Sequence, residues 1–198
     1  MQLNLKKELE PRLKEAEQGK RHIFFVDASH FVFSAMLGYL WAKVRRFVKG
    51  AHGRKRFNVL GAMNPFTLTM LYEANDGYVN AETVCKLLRQ IKKRFYKYPV
   101  TLVMDNARYQ RCHLVQDLAK ALGIELLFLP PYSPNLNLIE RYWKYLKGKL
   151  FRCRSLEKFE LFCTSIMDII EDRSTTRKRE LATLLAPNFQ IFDNTVIC

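Results

Sequence analysis

Two short apolar runs, Ile23-Phe24-Phe25-Val26 and Val100-Thr101-Leu102-Val103-Met104, each stop on an aspartate, Asp27 and Asp105. Runs of this length without helical periodicity fit strands covered on both faces, as in the middle of a layered α/β sheet. In such a sheet, groups at the C-terminal ends of central strands face a common crevice. Two carboxylates placed there repel, so the site wants a cation or a raised pKa. Hard oxygen ligands of this kind suit magnesium or manganese. An Asp after a strand is also a common turn former or helix cap, and either acid taken alone leaves that role open.

The rest of the chain supplies the layers around these strands. Stretches rich in Val, Phe, Tyr and Trp run from Gly38 to Val48 and from Arg56 to Met63. Gly50 and Gly53 lie between them, which predicts a hairpin. Phe66 to Tyr72 alternates like a strand facing two environments. The period then changes. Val84, Leu87, Leu88, Ile91 and Phe95 mark an amphipathic helix with Asn80 as its N-cap. Leu114, Val115, Leu118 and Leu122 mark a second, stopped by Gly123. Glu125 to Leu129 reads as a last strand, Pro130 to Pro134 as a stiff loop, and Leu138–Leu150 and Ser155–Ile170 as two further helices. The order predicts an α/β mixed sheet, antiparallel in its first half and parallel later, flanked by helices. Residues 1–21 read as a polar lead-in around Leu3, Leu5, Leu9 and Leu13, or as part of a helix that began upstream, with Pro11 limiting any helix. Residues 22–172 form the main domain and 173–198 a C-terminal tail.

A third acid, Glu140, follows Asn137-Leu138-Ile139 at the start of a helix. Leu138, Ile139, Tyr142, Trp143, Tyr145, Leu146 and Leu150 fill one arc of that helix, and Glu140 falls just outside it, beside Lys144 and Lys147. Asn137 as N-cap with Glu140 three residues on is also the spacing of a capping box, and that spacing alone favours a cap. The two roles are compatible, because a helix N-terminus keeps a carboxylate ionised.

The formal charge is +14 over 198 residues, which calls for a polyanionic partner, nucleic acid first. More than half of the 33 Lys and Arg fall in three stretches. One holds Lys43, Arg45, Arg46, Lys49, Arg54, Lys55 and Arg56, one runs from Lys86 to Lys97, and one holds Arg141, Lys144, Lys147, Lys149, Arg152 and Arg154. The middle stretch reads as a solvated helix face. The outer two carry Trp41, Tyr142 and Trp143 among their cations and read as a DNA track. No uncharged run reaches the roughly 20 apolar residues of a membrane span. Five cysteines without a CxxC pair read as reduced thiols in a cytosolic protein, not a disulfide frame or zinc site. His22, His52 and His113 lack ligand spacing and read as surface residues. His30 could meet a phosphate but reads first as packing beside the strand.

Three strings together are similar to the catalytic blocks of DDE transposases: Phe25-Val26-Asp27-Ala28-Ser29-His30-Phe31, Val103-Met104-Asp105-Asn106-Ala107-Arg108-Tyr109-Gln110, and Leu129-Pro130-Pro131-Tyr132-Ser133-Pro134-Asn135-Leu136-Asn137-Leu138-Ile139-Glu140-Arg141-Tyr142-Trp143. The group most resembled is the six-thirty family of bacterial insertion sequences, allied to mariner elements, in which 34 residues separate the last two acids, as they separate Asp105 from Glu140. The likeness runs from about residue 10 to residue 185. It implies a ribonuclease-H-like fold and two Mg2+ ions (Mn2+ substituting), with Asp27 bridging and Asp105 and Glu140 holding one each. It also implies cleavage of transposon ends and transfer of the 3′-hydroxyl into target DNA, by a homodimer acting in the bacterial cytoplasm at the nucleoid. Members of the family carry helix-turn-helix modules ahead of the catalytic domain, and residues 1–21 would be the lead-in from such a region. Two other classes fit the same residues: a non-catalytic DNA-binding remnant, and a ribonuclease-H-like nuclease that cuts without joining.

Overall fold

The computed structural model describes residues 2–33, 55–130, 136–152, 158–172 and 174–187. Its strands are β1 (His22–Phe33), β2 (Lys55–Asn64), β3 (Thr69–Asn75), β4 (Val100–Met104) and β5 (Ile124–Phe128). They form one sheet in the order β3-β2-β1-β4-β5. β1, β2 and β3 pair antiparallel, while β4 and β5 run parallel to β1. The mixed sheet expected from the change of period is therefore present.

Among the described residues six helices cover it: α1 (Gln2–Glu17), α2 (Ala81–Arg94), α3 (His113–Ala121), α4 (Leu138–Arg152), α5 (Phe159–Glu171) and α6 (Thr175–Leu184). Alternation along β1 sorts the core into two layers. Ile23, Phe25, Phe31 and Phe33 join Leu9 of α1, Leu138, Tyr142 and Trp143 of α4, Phe162 and Ile166 of α5 and Leu181 of α6. Phe24 and Val26 point the other way, onto Val84, Leu87, Leu88 and Ile91 of α2 and Val115 and Ala119 of α3. The Asn80 cap forms as the sequence predicts, with its side chain accepting from Thr83 N. Gly123 closes α3 with a positive φ of 64°, which a residue carrying a Cβ rarely adopts.

Several expectations need correction. β1 does not stop at Asp27 but runs on to Phe33. The stretch 38–48 and its glycine turn lie outside the described residues. Over 58–63 the two edges of β2 are taken by β1 and by β3. The third strand starts at Thr69, because Asn64 Oδ1 accepts from Phe66 N and Thr67 N and folds that segment into a turn. α1 passes straight through Pro11. The C-terminal tail contains α6, whose Leu181 is buried. His22 is half-buried, its ring 4.6 Å from that of Phe95.

Candidate active site

The parallel ladder between β1 and β4 ends on the pair Val26 and Met104. Asp27 and Asp105 are the next residue on each strand, so the two acids stand side by side where the ladder stops. β4 ends there, while β1 continues with β2 as its partner, Asp27 lying opposite Gly61. α4 lies across this part of the sheet and supplies Glu140, whose pKa is raised by burial first and then by the Asp27 and Asp105 carboxylates. Asp27, Glu140, Ser29, His30, Trp143, Lys144 and Lys147 line one open groove of about 440 Å³.

Burial and the neighbouring Asp105 push the Asp27 carboxyl up to about 6, against the opposing pull of the Ala28 N–H and the Trp143 indole. Asp105 is raised by burial, in part offset by the Asn137 amide. Tyr109 is raised by burial and by the charges of Asp27 and Asp105, which places its phenol in the same field. The three carboxylates thus interact electrostatically. Among the described residues no three His, Cys, Asp or Glu side chains converge closely enough to enclose an ion. The donor chemistry nonetheless fits a hard divalent cation: the half-buried Asp27 and Asp105 and the exposed Glu140 lie beside a buried Asn137 Oδ1 that has no hydrogen-bond partner.

Asn137 is not the cap that its spacing predicts. Its Nδ2 donates to Val26 O at 3.3 Å and to Asp105 Oδ1 at 3.2 Å. The amide therefore clips the start of α4 to both acid-bearing strands. That leaves Oδ1 unpaired instead of bonded to an α4 N–H, so no capping box forms with Glu140. Sequence spacing could not show this, because the amide's partners lie 32 and 111 residues away.

Of the expected DNA contacts, Lys144 and Lys147 line the groove. Lys55 and Arg56 are exposed at the start of β2, and the Lys55 Nζ lies 5.2 Å from the centre of the Phe159 ring. Arg141 does not line the groove; its Nη1 donates to Leu184 O and Ala186 O at the end of α6. Lys43, Arg45, Arg46 and Arg54 lie outside the described residues. His30, read first as packing, is exposed in the groove, with its Nδ1 2.6 Å from Asn58 Oδ1. The Asn58 Nδ2 must face Gly77 O, which can only accept, so Oδ1 faces His30 and the hydrogen sits on His30 Nδ1. Gly61 is a site residue that nothing local in the sequence marks, and Trp143, read from the sequence as an aromatic of the α4 arc and the DNA track, is buried with its indole N–H on Asp27.

The fold is similar to that of solved recombination complexes. A Mos1 mariner paired-end complex with Mn superposes with a TM-score of 0.64 at 17% identity, over 92% of this chain and 58% of that one. A Mos1 strand transfer complex gives 0.58 at 16%, over 94% and 61%. A simian T-cell lymphotropic virus intasome in complex with a PP2A regulatory subunit gives 0.56 at 14%, over 89% and 60%. These likenesses establish a ribonuclease-H-like fold, and the chain spans about 60% of the length of the chains it resembles. No curated protein matches the chain in sequence with significance. Residues 22–163 match the family model described as DDE superfamily endonuclease.

Proposed function

The chain belongs to the DDE superfamily endonucleases, and from that premise we propose that it is a transposase catalytic domain that cleaves DNA at transposon ends and joins the freed 3′-hydroxyl to target DNA. One observation carries this reading: Asp27 and Asp105 lie side by side at the end of the parallel ladder, and Glu140 is coupled to both from α4. Mos1 paired-end complexes have been solved with Mn and with Mg, which supports divalent metal use by the acids here.

Asp27, Asp105 and Glu140 would hold two Mg2+ ions. Bound there, the ions would activate the attacking oxygen and stabilise the leaving one. The protein supplies the rest. β1 and β4 fix the two aspartates on a rigid sheet, and Asn137 ties α4 to both strands. Lys144 and Lys147, on the same groove wall as Glu140, offset the charge of an incoming phosphodiester. No described Ser, Cys or Tyr is needed as a covalent nucleophile.

The test supplies a pre-cut DNA end with a free 3′-hydroxyl, a target duplex and Mg2+. Joining is expected from the native chain, and Glu140→Gln should lose it at least a thousandfold. Glu140 is exposed and makes no capping box, so the substitution should change stability by less than about 0.5 kcal/mol. Wild-type joining rates in Glu140→Gln would overturn the assignment. Cutting without joining by the native chain would favour the nuclease reading, and DNA binding without either would favour a remnant.

A further inference from the structure

We propose that Trp143 is a positioning residue for the metal site, its indole N–H fixing one oxygen of Asp27, and that Gly61 is the gap that lets the indole reach it. Trp143 Nε1 donates to Asp27 Oδ2 at 3.1 Å, which leaves Oδ1 as the oxygen free of that bond. The indole is 4% exposed and held edge-on by Phe31 at 6.2 Å and by Tyr142 at 5.5 Å. It cannot swing away from Asp27 without displacing both rings.

Gly61 is the residue paired with Asp27 across β1 and β2. A Cβ there would lie 2.8 and 2.9 Å from the indole Cη2 and Cζ2 and would run into the Met70 side chain. Neither the indole nor the sheet backbone can yield easily at those distances. The bare glycine backbone therefore sets the height of the indole above the sheet, and that height sets the reach of its N–H. Three residues far apart in sequence, at 27, 61 and 143, form one device.

A buried indole N–H needs some acceptor, so pure packing could also produce this hydrogen bond. The two roles differ in what depends on the bond. If Trp143 only packs, removing its N–H changes stability and leaves metal affinity alone. If it positions Asp27, affinity falls, since partners that orient a ligand are typically worth 10- to 100-fold in metal binding.

This inference rests on the reading of Asp27 as a ligand, and the experiment separates the two. The full chain, Asp27→Asn, Trp143→Phe and Gly61→Ala are titrated with Mn2+ by calorimetry, with circular dichroism melts as the folding control. Native binding, loss in Asp27→Asn, and weakening of about tenfold in both Trp143→Phe and Gly61→Ala are expected. A second readout uses the native side chain. The chain has two tryptophans, and Trp41→Phe identifies the Trp143 indole resonance. That resonance should shift on Mg2+ addition, and the shift should vanish in Asp27→Asn. Unchanged Mn2+ affinity in folded Trp143→Phe and Gly61→Ala, with Asp27→Asn dead, overturns the inference and leaves the site reading standing. Should Trp143→Phe fail to fold, Gly61→Ala and the indole shift decide, and a resonance indifferent to Mg2+ overturns it. No metal binding by the native chain overturns both.

Discussion

Asp27 is held where its charged form is disfavoured, and this makes it a liability to the metal-free fold. Its carboxyl titrates at about 6 in the folded chain, against an ordinary value near 3.9 in the unfolded one. Between those values the folded state binds more protons, so the contribution of Asp27 to stability is highest below about pH 4 and is lost as pH rises to about 6. Two units correspond to about 3 kcal/mol as an upper bound. Asp105 and Glu140 are shifted in the same direction. Asp27→Asn should therefore stabilise the protein in chelator at pH 7 by about 1–2 kcal/mol, the Trp143 hydrogen bond being kept to the amide oxygen. It should also flatten the decline between pH 4 and 6. Mg2+ should raise the melting temperature of the native chain and not that of Asp27→Asn. Denaturant midpoints at pH 4 and pH 7 check this. An unchanged or lower midpoint for Asp27→Asn at pH 7 contradicts it.

At the scale of elements, α1 shows how tertiary partners override a local breaker. Pro11 removes one helical N–H and would cost an isolated helix about 3 kcal/mol. Yet Leu9 and Ala16 are buried against the core, and Arg12 Nε donates to both Glu125 oxygens at 3.0 Å. Arg21 and the Thr101 hydroxyl join the same carboxylate on β5. α1 and the Arg21 that follows it are thus bolted to the sheet edge opposite β3. The hydrogen bond from Arg12 leads the effects that hold the Glu125 carboxyl down at about 2. Here the sign is opposite to that at Asp27: the stability is present above about pH 4 and lost as pH falls toward 2. The Glu125 side chain is 36% exposed, so solvent screening reduces the effect. Glu125→Gln should cost about 1 kcal/mol at pH 7 and little at pH 2, read from melts at both values. Equal loss at both would assign the effect to packing.

The same contrast explains what the sequence could reveal. β4, α2 with its Asn80 cap, α3 with Gly123, and the α4 stripe were legible because their signals are local: period, cap and stop. The two strand-end acids were legible because Val26-Asp27 and Met104-Asp105 mark where apolar runs break. The continuation of β1 was not, since Asp27 reads as a terminator until β2 is known to cover its other edge. Asn137 was misread for the same reason. Its spacing to Glu140 is local, whereas the bonds it makes reach Val26 and Asp105. α6 was missed, and α1 was read only as a helix limited by Pro11, because each is held by a few distant contacts and carries no strong amphipathic stripe of its own.

Over the whole molecule the charge of +14 is unevenly useful for DNA. Asp27, Glu140, Lys144 and Lys147 share the groove over β1 and α4. Lys86 and Arg89 are exposed on α2, whose buried side packs on the opposite face of the sheet. A duplex lying in the groove should therefore touch the first pair and not the second. Each phosphate contact releases counterions and contributes about 0.9 to the slope of log affinity against log salt. The double variant Lys144→Ala/Lys147→Ala should weaken binding to any duplex and reduce that slope by roughly two. Lys86→Ala/Arg89→Ala removes the same charge from the other face and should leave the slope unchanged beyond a small long-range effect that salt screens. Fluorescence anisotropy on two unrelated duplexes over a series from low to physiological salt measures all three proteins. Equal loss of slope in the two double variants would mean that net charge alone, and not the groove, holds the DNA. A slope lost for one duplex and kept for the other would mean that Lys144 and Lys147 contact base edges instead of phosphates.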